Sequence, residues 1–448
     1  MSAKIVFIGA GSFVFTRAIV RDMTRFANLH DARIVLMDIS PDRLEMARQC
    51  CRRILDVSGS KIKLAVTGDR QAALKDADVV ITTILCGGTD IWKHDVLIPK
   101  KYGVDLVVGD TRGPSGIFRM LRTLPEMLRI CADIRRLCPQ ALLLNYTNPM
   151  AMLCHGMQRE FPDLNITGLC HGVQHTAAKL AGWLGLGHDD VDYTCAGINH
   201  MAFFTEFKQG HRDLYPRLRK LVTTDKKIYN DGQVRNEMFL ALDYYMTESS
   251  GHSSEYNWWF RKRPDLIKKY CTTGTCGNPG QHAFVLKLYQ AKDKTWRTDL
   301  RRWLNQSEQE FREYVARTPV EYAAGIVSAW AGGAPFCFNG NVPNHGLISN
   351  VFQNACVEVP VHAGRRKLRP TCIGDLPVQL VPLVSLSATV EHMAVTGALQ
   401  GDARLVCQAI AHDPLTASVL SLAEIRKMTA EMFKRHRAFL PGFRKMEL

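Results

Sequence analysis

Two short segments carry residue types that suit metal chemistry: Gly168-Leu-Cys170-His171-Gly172-Val173-Gln174 and Cys195-Ala-Gly197-Ile-Asn199-His200. A cysteine thiolate is a soft ligand and a histidine imidazole a borderline one. Cys170 and His200 together therefore suit a divalent transition metal. Two protein ligands leave an open shell that a substrate can complete. By residue type alone a blander reading stands beside it, because a free cysteine commonly serves as a small buried hydrophobe. A second unit spans residues 4–38. The apolar run Lys4-Ile-Val-Phe-Ile8 enters Gly9-Ala-Gly11-Ser12, and a second run, Ile34-Val-Leu-Met37, ends on Asp38. This order builds a dinucleotide site: Gly9 permits a tight turn, and Gly11 lets backbone approach a pyrophosphate. A helix starting near Ser12 aims its N–H groups at the phosphates. Asp38 faces a ribose 2′-hydroxyl, which favours NAD over its phosphorylated form. Val14 stands where the full fingerprint has a third glycine.

These residues need elements to position them. Apolar runs predict strands over 4–8, 34–37, 61–66, 79–85, 106–108 and 141–145, separated by amphipathic stretches such as 117–137. Alternation of this kind predicts an α/β fold with a Rossmann-like, doubly wound sheet over residues 1–195. Ligands then sit at the carboxyl ends of the strands. Polar clusters fall there: Cys86-Gly-Gly88, Gly109-Asp110-Thr111 and Asn145-Tyr-Thr-Asn148-Pro149. Residues 196–448 read as an α+β region for substrate and oligomerisation, largely helical over 235–330. Strands and turns mix over 335–400, and a helical tail covers 385–436.

The chain has 448 residues, 46% of them hydrophobic, and no apolar run of bilayer length. It opens on a short strand rather than a secretion signal. Its 14 cysteines then read as reduced thiols of a cytoplasmic protein. The net charge is +14, with short basic clusters such as Arg261-Lys-Arg263 and Arg365-Arg366-Lys367. Without zinc-finger spacing or an aromatic basic stripe, these read as a solvated surface, with neither nucleic acid nor membrane as partner.

In order along the chain stand Ile8-Gly9-Ala-Gly11-Ser, Asp110-Thr-Arg-Gly113-Pro, Asn145-Tyr-Thr-Asn148-Pro-Met and Cys170-His-Gly-Val-Gln. They are followed by Gly197-Ile-Asn-His200-Met, Thr247-Glu-Ser-Ser250 with His252, Glu255-Tyr256, and Gly340-Asn-Val-Pro-Asn344. This succession resembles glycoside hydrolase family 4, the NAD-dependent glycosidases, over almost the full length. Within the family it is most similar to the melibiase-type α-galactosidases. The family departs from the usual two-carboxylate glycosidase mechanism. The resemblance implies hydride transfer from sugar C3 to NAD⁺ and loss of the acidified C2 proton. The glycosidic oxygen is then eliminated, water adds, and the first steps run in reverse. It implies Cys170 and His200 as ligands of Mn²⁺ or another divalent metal and His171 as general acid. Asn148 and Asp110 become sugar contacts, and the protein a homo-oligomer, dimer or tetramer.

The family takes its base from a helix in the second half, as tyrosine or aspartate. Here the matching stretch, Arg235–Tyr245, offers Glu237 and Tyr244, seven apart and on one helical face. Gly172 replaces the serine of the melibiase type and is reminiscent of α-glucosidase and α-glucuronidase members. A uronide would need an arginine for its carboxylate, with Arg112 and Arg261 as candidates. His171 in place of aspartate or asparagine argues against 6-phosphate sugars. Two further classes compete: a lactate/malate-type dehydrogenase, opposed by the Cys170–His200 pair, and a non-catalytic NAD-binding regulator of nucleic acid.

Overall fold

The computed structural model describes residues 2–271, 279–319, 321–444 and 448. Twelve strands form one mixed sheet: β1 (Lys4–Ile8), β2 (Arg33–Met37), β3 (Lys63–Thr67), β4 (Val79–Thr82), β5 (Leu142–Asn145), β6 (Asn165–Leu169), β7 (Asp192–Ile198), β8 (Met201–Gln209), β9 (Arg212–Asp213), β10 (Phe336–Pro343), β11 (Cys356–Gly364) and β12 (Lys367–Pro370). The order is β3-β2-β1-β4-β5-β6-β10-β11-β7-β8-β9, with β12 on β11. Strands β3 to β6 in this order pair in parallel. This is the dinucleotide-binding order 3-2-1-4-5-6. From β6 onward every pairing is antiparallel. The sheet is thus continuous across residue 195.

The inner parallel strands β1, β2, β4 and β5 are apolar on both faces, as burial under helices on both sides requires. Ile5 and Phe7 of β1 enter one core, and Val6 and Ile8 the other. Helix Gly113–Leu137 covers the second face. Inside it Arg122 makes a bidentate pair with Asp95 (2.8 and 2.6 Å), and His436 of helix Leu422–His436 lies 3.0 Å from the same carboxylate. Both charges are buried, so each depends on the other for compensation. The C-terminal helices Val381–Gln400, Ala403–Ala411, Pro414–Val419 and Leu422–His436 match the predicted tail. Among the described residues, no helix is long and apolar enough to cross a membrane.

One predicted strand is absent. Residues 106–108 are apolar and buried, yet they join no ladder. The buried Glu255 carboxylate takes their backbone donors instead: Val107 N–H at 2.7 Å, Val108 N–H at 3.1 Å and Gly109 N–H at 2.8 Å. A side chain does what a neighbouring strand would have done, and the loop is free to turn Asp110 towards the sheet edge. The first helix also starts later than expected. Ser12–Val14 form a turn, and the regular helix begins at Phe15.

Glu255→Ala leaves three buried N–H groups unpaired, at roughly 1–3 kcal/mol each. The expected loss of unfolding free energy is at least about 3 kcal/mol, measured by urea denaturation against the native chain. A loss below about 1 kcal/mol, the size of an ordinary substitution, would show that the loop does not depend on this carboxylate.

Candidate active site

A cavity of about 1350 Å³ runs along the carboxyl ends of the parallel strands. It exceeds the ~300–1,000 Å³ of a typical small-ligand pocket. One end is formed by the turn after β1. Gly9 has φ +84, and a Cβ there would stand 2.6 Å from the Thr83 carbonyl oxygen. The Gly11 N–H donates to Asp38 Oδ2 at 2.8 Å, and the Ser40 N–H to Oδ1 at 2.9 Å. A Cβ on Gly11 would meet that carboxylate at 2.8 Å. Gly9, Gly11, Ser12 and Asp38 all line the cavity.

The other end is formed where the two halves of the sheet meet. Cys170 directly follows β6. His200 lies in the two-residue connection between β7 and β8, with φ 61. Segment 245–247 pairs with β8 through the Phe204 N–H to Tyr245 O bond (3.0 Å) and the Thr247 N–H to Ala202 O bond (2.9 Å). This delivers Glu248, at φ 68, beside them. Two non-glycine residues in the left-handed region are strain that the surrounding sheet must hold, and such strain gathers at functional sites. Cys170 Sγ lies 3.3 Å from His200 Nε2 and 3.2 Å from Glu248 Oε1. Glu248 Oε1 lies 3.6 Å from His200 Nε2, and its Oε2 3.4 Å from His252 Nδ1. Thiol, imidazole and carboxylate form a compact donor group.

The orientation of His200 is set from behind. Thr111 Oγ1 lies 2.9 Å from His200 Nδ1 and donates to Asp110 Oδ1 at 2.8 Å. With its proton committed to Asp110, the hydroxyl accepts from Nδ1–H, so the Nε2 lone pair faces Cys170. Burial brings the His200 pKa down to about 4, keeping the ring neutral and ligand-ready. Burial pushes the Cys170 thiol well up. Burial alone would raise Glu248 too, but the surrounding imidazoles, His200 first, hold it far below the usual carboxylate range. An ionised carboxylate and a thiol in contact favour a cation, which would displace the thiol proton.

Asp110 and Asn148 also line the cavity. The Asn148 amide donates to Asp110 Oδ2 at 3.2 Å, and its Oδ1 is buried without a protein partner. Burial works against ionised Asp110, but Arg119, His252 and His200 hold its pKa below the usual carboxylate value. Arg119 packs over Trp92 and donates to the Asn148 carbonyl at 3.1 Å. His171 lines the cavity beside Cys170.

Glu237 and Tyr244 are not brought to the cavity. The Glu237 carboxylate accepts from the Tyr229 hydroxyl, and Tyr244 packs edge-on to Tyr215. The helix that carries Glu237, Gln233–Leu242, ends at Asp243 in the left-handed region, so Tyr244 lies beyond it and the two do not share a helical face. Arg112 and Arg261 are committed elsewhere. Arg112 pairs with Glu391 at 3.0 Å and donates to the Asn199 carbonyl at 2.7 Å. Arg261 pairs with Asp105. Sequence reasoning gave no role to Glu248, His252 or Arg119. The four-residue interval from Glu248 to His252 was the available signal.

A Cβ on Gly172 would lie 2.2 Å from Glu248 Oε1. This explains the glycine: the space that a serine would fill holds a carboxylate. Gly172→Ala is expected to cost about 1–3 kcal/mol. In Glu248→Ala the same change should cost far less, because the clash is gone. Equal costs in the two backgrounds, by chemical denaturation, would place the strain elsewhere.

The chain's relatives agree with this architecture. Residues 4–186 match family 4 glycosyl hydrolase, and residues 195–416 match the family 4 glycosyl hydrolase C-terminal domain. An α-galactosidase of Bacillus subtilis (strain 168) is 35% identical, with 98% of this chain and 100% of that one covered. An α-galactosidase of Rhizobium meliloti (strain 1021) is 32% identical, with 99% and 90% covered. A crystallised 6-phospho-α-glucosidase from gut microorganisms, in complex with NAD and Mn²⁺, shares the fold at TM-score 0.78. It is 20% identical, with 98% and 99% covered. With both halves matched and near-complete alignment to relatives above 30% identity, the chain belongs to glycoside hydrolase family 4.

Proposed function

We propose that this glycoside hydrolase cleaves α-galactosides by oxidation at C3, deprotonation at C2 and elimination, with NAD and a divalent cation such as Mn²⁺ as cofactors. The observation that carries the reading is the shared cavity. It joins the Gly9–Gly11 turn to the Cys170–His200–Glu248 donor group. The residues fit both groups. The turn requires both glycines, since a Cβ at Gly9 would strike the Thr83 carbonyl and one at Gly11 the Asp38 carboxylate. The donor set combines a soft, a borderline and a hard ligand atom, as a first-row divalent ion accepts. When bound, NAD supplies the hydride acceptor and the cation a Lewis acid.

The chain's own residues do the rest. Asp38 would accept from the ribose hydroxyl of NAD, and Cys170, His200 and Glu248 would hold the metal. Asn148, through its unpaired Oδ1, and Asp110 orient the sugar hydroxyls. Glu248 is the ionised third donor of the metal-holding group, whereas Glu237 and Tyr244 do not line the cavity. His171 gives a proton to the departing glycosidic oxygen. The 35% and 32% identity to α-galactosidases supports a galactoside over its epimer. A uronide is disfavoured because Arg112 and Arg261 are already paired. Among the arginines that line the cavity, Arg119 stands beside Asn148 and Asp110 and is balanced by Asp110.

With p-nitrophenyl glycosides, NAD⁺, Mn²⁺ and a thiol, the α-galactoside should exceed the α-galacturonide in kcat/KM by more than about tenfold, about 1.4 kcal/mol. The reverse order would overturn the substrate assignment. Turnover in D₂O should place deuterium at C2 of the released sugar, read by NMR. Product carrying only protium at C2 would exclude the deprotonation step.

A further inference from the structure

His171 stands between the cavity and a buried carboxylate that the steps above leave unused. Its ring is partly open, with a side-chain exposure of 40%, and Nδ1 lies 3.6 Å from Glu321 Oε1. Glu321 is buried and does not line the cavity. It is held in place from several sides. Its backbone N–H points to Asp22 Oδ2 at 3.4 Å. The Tyr146 hydroxyl accepts from the Ala323 N–H at 3.3 Å and donates to the Glu321 carboxylate. Tyr146 is itself fixed by the Phe15 ring, with centroids 5.2 Å apart. On its other side the His171 ring packs against the tilted ring of His175, with centroids 4.6 Å apart. A cavity-facing imidazole backed by an anchored carboxylate is the usual geometry of an oriented acid–base histidine.

We infer that Glu321 is a positioning residue for His171. Its carboxyl group faces Nδ1 at 3.6 Å and so keeps Nε2–H turned towards the glycosidic oxygen. The inference rests on the reading of His171 as the acid of the elimination. In that step the electron pair at C2 becomes the C1–C2 double bond as the C1–O bond breaks. The leaving oxygen keeps the bond pair and takes the proton from His171 Nε2. Glu321 touches neither sugar nor cofactor, and its effect is confined to bond departure.

The test compares phenyl and 2,4-dinitrophenyl α-galactosides, assayed with NAD⁺ and Mn²⁺ in D₂O. The more basic phenolate needs the proton, whereas the dinitrophenolate leaves without it. Glu321→Gln should lower kcat for the phenyl glycoside at least about tenfold more than for the dinitrophenyl one, a share of the ~10²–10⁴ that a general acid supplies. Deuterium should still appear at C2 of recovered substrate, because the steps before departure remain intact. His171→Ala should show the same pattern. Tyr146→Phe, which keeps the carboxylate but loses its anchor, should show a weaker form. Equal losses on both substrates, or loss of C2 exchange together with turnover, would overturn the positioning role. Released sugar from the native enzyme carrying only protium at C2 would instead overturn the oxidation–elimination reading beneath it.

Discussion

An ionised carboxylate buried against a thiol and two imidazoles is the arrangement on which the catalytic end of this molecule depends. A buried charge costs several kcal/mol unless it is compensated. Glu248 accepts from the Cys170 thiol at Oε1 and from the Ser249 N–H at Oε2, where His252 Nδ1 also approaches, and His200 stands beside it. Each partner comes from a different part of the fold. Cys170 follows the last parallel strand, and His200 closes the β7–β8 connection. Glu248 and His252 flank the start of the short helix Ser250–Glu255. The group exists only because β10 and β11 fill the sheet between β6 and β7. Gly172 follows from the same constraint, since any side chain there would occupy the carboxylate's place.

Carboxylates recur as substitutes for ordinary backbone and cofactor contacts. Glu255 takes three N–H groups of an apolar segment and turns it from strand into loop. Asp38 takes the N–H groups of Gly11 and Ser40 and fixes the turn that faces the cofactor. Asp110 receives both Thr111 and Asn148, and through Thr111 it sets the tautomer of His200. Two of the three, Asp110 and Glu255, are deeply buried, and all three have their oxygens occupied by donors, which is what makes burial of such groups tolerable. The result is a cavity whose polar groups are rigid before any ligand arrives, a property that favours catalysis by orientation.

By itself the sequence determined the parallel half of the fold and the cofactor end of the cavity. Strand, glycine turn, helix and acid-terminated strand are local features, within about 35 residues. Their residue types and order mark the turn without tertiary information. Cys170, His171 and His200 were legible for a related reason. Each stands in a short segment whose residue types suit one chemistry and whose succession matches one family. The Glu248 carboxylate was not legible in the same way. The sequence singled out Glu237 and Tyr244 instead, because periodicity says which residues share a helical face but not where that face points. The left-handed residue Asp243 and the pairing of 245–247 with β8 decided it. Residues 106–108 misled for a complementary reason, since an apolar run cannot reveal that its N–H groups are claimed by a glutamate almost 150 residues away. Long-range hydrogen bonds and the antiparallel extension of the sheet carry no local signature, and only the tertiary structure could decide them.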